Sequence, residues 1–493
     1  MTRSRPVTPP TPGTMATTNN TTARKPRVEY ATTARTQPRG RDYAFTPEKD
    51  TWDGRYEFGG PVGAISIMAF SHVLVYYMWL CVVFFKGAMI HPWHPALVDS
   101  DQPPVLELLA THAVPSPAVL AGFVGFIAFE LVLAAALPGP IARGLPVPSE
   151  NGFVHTYKCN GVYAWYVILA TLALGQVTGV FPLSTIQTYY GQLLTSAVIV
   201  ADVLSLALYV HTLAVGRQIR MSGNHVYDFF AGAVLNPKVP GTNICMKLFA
   251  EIRNSWVLTF VLGLSAAAKM YEDTGAVTPN MCFILTAYLL YTNACQKGEE
   301  CIPTTWDIHH EKFGWMLIFW NTCGVAFTYS LQAMYLAHVE PHLRFSAPVV
   351  ALQFALLFAA YFVWDTTNAQ KNRFRMERVG VEPHIVRRRT FPQLPFGYIP
   401  RPRVITSDRG TLFVDGWYRY ARKLHYTMDT IMAVLWASSC GASSLVPWFY
   451  PCFFVGMILD RESRDTARSA AKYGALWDAY VKLVPYRFIP GVW

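Results

Sequence analysis

Residues 61–85 read PVGAISIMAFSHVLVYYMWLCVVFF, an apolar run long enough to cross the hydrocarbon core of a bilayer as an α-helix. Further runs of this kind start at Pro117, Gly161, Gly191, Ser255, Pro279, Phe313 and Ser346. Two shorter apolar stretches, Thr427 to Cys440 and Leu445 to Leu459, flank GASS and would suit a helical hairpin. The 493 residues are 52% hydrophobic and only 15% charged. This pattern predicts an all-α polytopic membrane protein with about ten transmembrane helices.

The basic residues predict the orientation of these helices. The segments predicted to lie on one side of the membrane contain Arg143 and Lys158, a cluster from Arg217 to Arg253, and the Arg-rich stretch from Lys371 to Lys423. Lys and Arg gather in cytoplasmic loops, so both chain termini are expected in the cytosol. The net charge of +10 thus reflects mainly the cationic residues on the cytoplasmic side, and attraction to anionic membrane lipids is a secondary consequence. No nucleic-acid partner is expected.

The first 55 residues differ from the rest of the chain. They are rich in Thr, Pro, Arg and Asn and lack apolar periodicity, which predicts a disordered basic cytoplasmic arm before a membrane domain of residues 56–493. The nine cysteines include no CxxC pair, and His91 and His94 are each followed closely by Pro, which would break the helix aligning them. No metal site is therefore predicted.

Two groups of polar residues are candidates for function. Asp307, His309, His310 and Glu311 directly precede the apolar run at Phe313. Carboxylates and imidazoles at membrane depth are costly unless they are used or paired. Acidic residues also favour a helix N-terminus on dipole grounds alone, so a purely structural interpretation remains open.

The second group is spaced for a helix. Arg461, Asp465, Ser469 and Tyr473 are each four residues apart, which places them on one helical face. Arg suits a phosphate group and aromatic rings suit planar groups, so this face indicates a site for an anionic nucleotide. The cations at Lys371 and Arg375 have the simpler alternative role of membrane anchors.

These residues belong to motifs that resemble a known family. The motifs are Glu57 to Pro61, Tyr157 to Gly161, Leu235 to Pro237, Trp306 to Asn321, Thr390 to Pro395, Gly416 to Asp429, Asp460 to Asp465, Lys472 to Gly474 and Val484 to Tyr486. Together they resemble the sterol reductases of the ergosterol and cholesterol pathways, a family that includes the lamin B receptor.

The resemblance implies an endoplasmic reticulum membrane enzyme that reduces sterol double bonds with NADPH. It also implies a ten-pass fold with the cofactor pocket within residues 365–493, a sterol substrate entering from the bilayer, and association with other sterol-pathway enzymes. The cofactor-binding positions it implies are Lys371, Arg375, Trp417, His425, Tyr426, Arg461, Asp465, Ser469, Tyr473 and Tyr480. Ser469 stands where some members have Cys, and Cys245 stands where an Asp often precedes the Lys of the motif at Lys247.

Two dipeptides bear on the bond that is reduced. Members acting on ring bonds at C14 or C7 usually have Gly-Asp where this chain has Trp320-Asn321, and Asn-Tyr where it has His425-Tyr426. Both differences resemble members that reduce the C24(28) bond of the sterol side chain. A ring-bond reductase remains the alternative.

The chemistry requires a proton donor. An isolated alkene accepts hydride only after protonation to a carbocation, so an acid must act together with the cofactor. Candidate acids are Asp465, Tyr329, Glu311 and His309, and the sequence does not choose among them. Trp315, Trp320, Tyr329 and Trp436 could stabilise a cation with their ring faces or serve only in packing.

Two rival classes of protein fit the sequence less well. Isoprenylcysteine methyltransferases have a similar C-terminal motif but would not account for the motifs at Glu57 and Trp306. A lamin B receptor-like scaffold without activity could use the basic arm to bind acidic partners. Against it, Arg35, Arg39 and Arg41 are scattered and the arm is too short for a folded reader domain.

Overall fold

The computed structural model describes residues 25–31, 43–91, 103–378, 380 and 394–492. Predictions for His94 and for Thr390 to Gln393 therefore lie outside the described residues. Helices dominate, in agreement with the predicted class. In the first half they are α1 (Gly60–Val83), α2 (Val105–His112), α3 (Pro117–Ala136), α4 (Gly161–Thr178), α5 (Thr185–Thr188), α6 (Tyr190–Ala214), α7 (His225–Ala231) and α8 (Met246–Phe249). In the second half they are α9 (Ser255–Thr274), α10 (Pro279–Lys297), α11 (Trp306–His309), α12 (Trp315–Phe319), α13 (Val325–Tyr329), α14 (Leu331–His338), α15 (Ala347–Arg378), α16 (Leu424–Ser438), α17 (Phe449–Tyr473) and α18 (Ala475–Leu483).

The helices form a multi-pass membrane protein. Within the described ranges, five helices are long and apolar enough to span a bilayer, namely α1, α3, α4, α6 and α15. Their outer faces expose large apolar side chains such as Val62, Leu174 and Val177, which suits contact with lipid. The remaining predicted passes coincide with α9, α10, α12 to α14, α16 and α17. Those helices do not meet the same criterion, so about ten passes stays a prediction.

Two π-helical turns meet in the interior of the bundle. Ala250–Asn254 precedes α9, and Trp320–Gly324 joins α12 to α13. The Asn254 side-chain amide donates a hydrogen bond of 3.0 Å to the backbone carbonyl of Asn321. The apolar run that starts at Phe313 is consequently several short helices rather than one straight span. Such π-turns are frequent at functional sites.

Two small antiparallel sheets correct the prediction of an all-α fold. Arg27–Tyr30 (β1) pairs antiparallel with Arg403–Ser407 (β4), which pairs with Gly410–Phe413 (β5), and Ile141–Val147 (β2) forms a hairpin with Phe153–Lys158 (β3). The fold is therefore not purely helical. Within the predicted arm of residues 1–55, β1 forms because the backbone of β4 pairs with it, and Pro47–Lys49 form a 3₁₀ turn; the division into an arm and a membrane domain stays a prediction.

Candidate functional site

The helix α17 carries the predicted stripe. Arg461, Asp465, Ser469 and Tyr473 all lie within it, as their spacing predicted. The Arg461 guanidinium donates to Asp307 Oδ2 at 2.5 Å, and Lys423 donates to Asp465. Burial alone would raise the pKa of Asp465, but the charges of Lys423 and Lys371 outweigh it and lower that pKa. Asp465 is therefore a carboxylate held between cations.

A second wall is formed by the end of α15 and the segment after β5. The indole N–H of Trp417 donates to Thr366 Oγ1 at 2.9 Å, and its backbone N–H donates to Gln370 Oε1 at 3.1 Å. The preceding Gly416 has φ +53°, and a Cβ there would collide with Gln370, so only glycine fits this turn. Lys371 Nζ lies 5.1 Å from the centre of the Tyr418 ring, while Arg375 is exposed.

The start of α16 joins the two walls. The ring centres of His425 and Tyr426 are 4.2 Å apart, and Lys423 Nζ lies 5.8 Å from the centre of the Tyr426 ring. Burial lowers the pKa of His425, and the charges of Lys371, Lys423, Arg461 and Arg375 lower it further. The imidazole is thus neutral among four basic side chains, of which Lys371 has its own pKa lowered by burial and by the charges of Arg375 and Lys423. Only Asp465 and Asp307 are bonded to members of this cation group in the described contacts, so the site has excess positive charge suited to a polyanion.

The two predicted tyrosines occupy different positions. Tyr473 packs against Gly410 at the β4–β5 turn, where an added Cβ would come within 3.1 Å of its ring. Tyr480 is buried in a small apolar cluster with Trp477 and residues of β4. Its pKa is raised by burial and by the nearby charge of Asp465. Both rings therefore connect α17 and α18 to the three-stranded sheet.

The motif at residues 306–311 lies beside this site. Arg468 lies 3.9 Å from the centre of the Trp306 ring, and the His310 ring lies 3.6 Å from the same ring. The Trp306 indole N–H donates to Glu311 Oε1 at 2.5 Å, and His309 Nδ1 contacts the carbonyl of Thr305. Burial lowers the pKa of His309. Two of the four predicted acids, Glu311 and His309, thus have structural partners here.

The pH dependence of stability can be predicted from His310. Its Nε2 faces the Nη1 donor of Arg220 at 3.1 Å, and burial, followed by the charges of Arg220 and Arg468, lowers its pKa to about 3. An unfolded histidine titrates near pH 6.5. Between these values only the unfolded chain binds the proton, so stability falls as the pH falls below about 6.5.

We therefore expect the wild-type protein to lose about 1 kcal/mol of unfolding free energy from this residue between pH 7.5 and 5.5, after allowance for partial exposure. Thermal unfolding of the wild type and of His310→Gln at both pH values measures the loss. The variant should be less sensitive to acid. Equal sensitivity of both proteins would contradict a neutral His310.

A buried charged cluster was not predicted from the sequence. Lys247 is fully buried and donates to the backbone carbonyls of Ile308, at 3.1 Å, and Glu311, at 2.5 Å. Burial lowers the pKa of Lys247 and raises that of Glu251, whose Oε1 has no hydrogen-bond partner among the described residues. The Asp307–Arg461 pair lies within electrostatic range of both. The segment from Cys245 to Arg253 is therefore connected to the candidate site through the hydrogen bonds of Lys247 to the 306–311 motif.

The second missed residue is Asp429, which lies in an aromatic cage. Asp429 is 7% exposed, its Oδ2 accepts a hydrogen bond of 3.3 Å from the Tyr291 hydroxyl, and the Trp364 indole also interacts with the carboxylate. The Tyr291 ring centre lies 4.3 Å from that of Trp256, 4.9 Å from that of Trp364 and 5.6 Å from that of Trp436. An Asp within an apolar helix is the sequence signal that could have indicated it.

Asp429 is connected to the cationic site by helix geometry. It lies four residues after His425 and three after Tyr426 on α16, so it is on the same face about one turn further along. Tyr329 lies 6.1 Å from Trp256 and 4.3 Å from Tyr450 between ring centres. Of the predicted aromatic residues, Tyr329 and Trp436 therefore belong to this cage. Trp315 packs in the other large core cluster, and Trp320 stacks on Phe453.

The fold and the site define a multi-pass membrane protein with a polycationic site next to a buried acidic group in an aromatic cage. The chain belongs to the Ergosterol biosynthesis ERG4/ERG24 family, whose model matches residues 53–493. It is thus a sterol reductase family enzyme, an oxidoreductase of ergosterol-type biosynthesis.

Three relatives give the range of similarity. The chain is 40% identical to the Delta(24(24(1)))-sterol reductase of Gibberella zeae over 90% of this chain and 74% of the relative. It is 39% identical to the Delta(24(24(1)))-sterol reductase erg4A of Aspergillus fumigatus over 88% of this chain and 92% of the relative. It is 31% identical to the Delta(14)-sterol reductase of Methylotuvimicrobium alcaliphilum over 89% of this chain and 96% of the relative.

Proposed function

We propose that this protein reduces the C24(28) side-chain double bond of a sterol, using NADPH, in the last step of an ergosterol-type pathway. The observation that carries the proposal is the identity of 40% and 39% to two Delta(24(24(1)))-sterol reductases, against 31% to a Delta(14)-sterol reductase. The dipeptides Trp320-Asn321 and His425-Tyr426 support the same assignment.

The cationic site suits NADPH. Its positive excess fits the phosphates, with Lys371, Arg375 and Arg461 as the cations that would hold them, and Trp417, Tyr426 and Tyr473 offer ring faces to the planar groups. His425, Asp465, Ser469 and Tyr480 complete the proposed set. Asp465 keeps Lys423 in place through their ion pair. NADPH, when bound, supplies the hydride.

Asp429 is the best acid. It is buried, and its partners are the Tyr291 hydroxyl and the Trp364 indole, neutral groups rather than cations, so the uncharged carboxylic acid is favoured there. In the proposed step the proton of Asp429 forms a C–H bond at the terminal methylene carbon, the alkene π bond breaks, and a tertiary carbocation forms at C24. The aromatic rings around Asp429 would stabilise that cation by about 2 kcal/mol for each ring face that meets it.

The four acids named from the sequence suit this role less well. Asp465 is ionised by its cations, and Glu311 and His309 are bonded within the motif at the membrane surface. Tyr329 lies in the cage, but a phenol is a weaker acid than a carboxyl group, so it serves as a wall of the site.

The proposal includes a topology. About ten helices cross the endoplasmic reticulum membrane with both termini in the cytosol, and residues 56–493 form the catalytic domain with its cofactor site in 365–493. NADPH then enters from the cytosol and the sterol from the bilayer. Association with other sterol-pathway enzymes would pass the membrane-bound product along without release into water.

An assay with three sterols tests the function. The purified protein in liposomes receives NADPH and a sterol with a Δ24(28), Δ14 or Δ7 bond, and mass spectrometry identifies the products. We expect reduction of the side-chain bond, faster than either ring bond by about 100-fold or more, a discrimination of about 3 kcal/mol. Reduction of a ring bond instead would overturn the side-chain assignment. Cofactor binding without any reduction would favour a scaffold.

A further inference from the structure

A cavity of about 330 Å³ lies away from the proposed catalytic site, at the ends of two membrane-spanning helices. It is bounded by Ala134 and Ala135 at the end of α3, by Lys158 just before α4, and by the segment from Thr242 to Arg253. Since α3 and α4 are long and apolar enough to span the bilayer, their adjoining ends mark the level of the lipid headgroups. The cavity is large enough for one small polar group.

The charges lining the cavity are unequal. Lys158 and Arg253 are cationic, and Glu299 is the acidic residue among the lining groups. Glu299 forms an ion pair with Arg253, whose Nη2 and Nε donate to Glu299 Oε1 at 2.7 Å and 3.1 Å. Lys158 Nζ donates to the carbonyl of Ala135 at 2.6 Å, a neutral acceptor, and Lys158 forms no ion pair with another described residue. The cavity therefore carries about one net positive charge.

One donor at this cavity lacks a partner. Arg253 is only 3% exposed, yet its Nη1 has no hydrogen-bond acceptor among the described residues. A buried guanidinium N–H without an acceptor costs free energy unless something supplies one. Glu130 precedes Ala134 by one turn of α3 and lies close enough for its charge to interact with that of Arg253, but neither of its carboxylate oxygens has a hydrogen-bond partner among the described residues. An anion in the cavity would add a further favourable charge interaction with Arg253.

We propose that this cavity binds the phosphate group of an anionic membrane phospholipid. A phosphodiester carries one negative charge and several acceptor oxygens, which match the single excess charge and the ammonium donors of Lys158. Basic pockets between transmembrane helices at the cytoplasmic surface suit such headgroups. Cys245 and Leu248, which line the cavity, are close in sequence to the buried Lys247, which bonds to the 306–311 motif beside the cationic site. A bound lipid would thus brace the segment that supports Asp307 and Arg461.

The test is lipid binding to the purified full-length protein in detergent, followed by native mass spectrometry. The probes are phosphatidylglycerol, a diacylglycerol with the same acyl chains, and inorganic phosphate. We expect phosphatidylglycerol to be retained in preference to diacylglycerol, and Lys158→Gln to weaken its binding by about tenfold. Lys238→Gln is the matched control, because Lys238 bonds to Asn243 in the same region but does not line the cavity.

Each other outcome overturns the proposal. Equal retention of diacylglycerol would remove phosphate recognition, and equal binding of inorganic phosphate would replace the lipid by a soluble ion. Equal loss in Lys238→Gln would show general surface charge attraction. Thermal unfolding checks that Lys158→Gln is folded. Because neither NADPH nor sterol is present, the result is independent of the proposed reductase reaction.

Discussion

Replacing Asp429 by Asn is expected to lower the turnover of sterol reduction by about 10²- to 10⁴-fold while NADPH binds with unchanged affinity. The amide keeps the shape of the side chain and an oxygen that accepts from Tyr291, but it has no proton of sufficient acidity. The cofactor site lies about one turn away on α16 and loses no contact. Turnover is measured by sterol product formation, and cofactor binding by fluorescence titration of the same preparation.

Two tyrosines on α10 provide the controls. Tyr291→Phe removes the hydroxyl that contacts Asp429 and should lower turnover less than Asp429→Asn. Tyr288→Phe removes a buried hydroxyl one turn earlier, which bonds to the Tyr329 carbonyl at 3.0 Å and to Gln332 at 2.9 Å. That variant should lose about 1 kcal/mol of stability with near-normal turnover. Turnover of Asp429→Asn within about twofold of wild type would rule out Asp429 as the proton donor.

The sequence predicted those features of the fold that depend on local composition. Apolar runs of bilayer length predicted the five spanning helices, and the four-residue spacing from Arg461 to Tyr473 predicted one helical stripe. It could not predict β1, because Arg27–Tyr30 becomes a strand only where β4 lies next to it in space. The contact of the π-turn at Trp320–Gly324 with Asn254, which is distant in sequence, could likewise not be predicted.

The sequence predicted only those features of the candidate site that depend on residue type, and not those that depend on contacts between distant segments. Cations and rings in the C-terminal half were indicated by residue type, but their partners were not. Asp307 was identified as a polar residue near the membrane surface, whereas its bond to Arg461 joins segments far apart in the chain. The sequence indicated Asp429 only as the last residue of a motif and gave it no role, because the cage around it is assembled from α9, α10, α15 and α16. Chemistry that depends on tertiary proximity requires the structure.

Replacing Arg461 by Gln is expected to weaken NADPH binding by about 10- to 100-fold, the effect of losing one charge-assisted hydrogen bond to phosphate. It should also lower stability, since Arg461 holds the pKa of Asp307 below its usual range against the opposing effect of burial. Without Arg461, the Asp307 carboxylate faces Glu251 unpaired. Because both partners are partly exposed, the expected loss is about 1–3 kcal/mol.

The double variant Arg461→Gln with Asp307→Asn separates these two effects. Removing the orphaned carboxylate should recover most of the lost stability, while the cofactor affinity stays low because the phosphate-binding cation is still missing. Asp307→Asn alone should bind NADPH at least as tightly as wild type, since Arg461 then has no competing anion. Chemical denaturation and NADPH titration of all four proteins complete the cycle. If NADPH affinity returned together with stability, Arg461 would be a structural residue, and the cofactor phosphates would have to be bound by Lys371 and Arg375 instead.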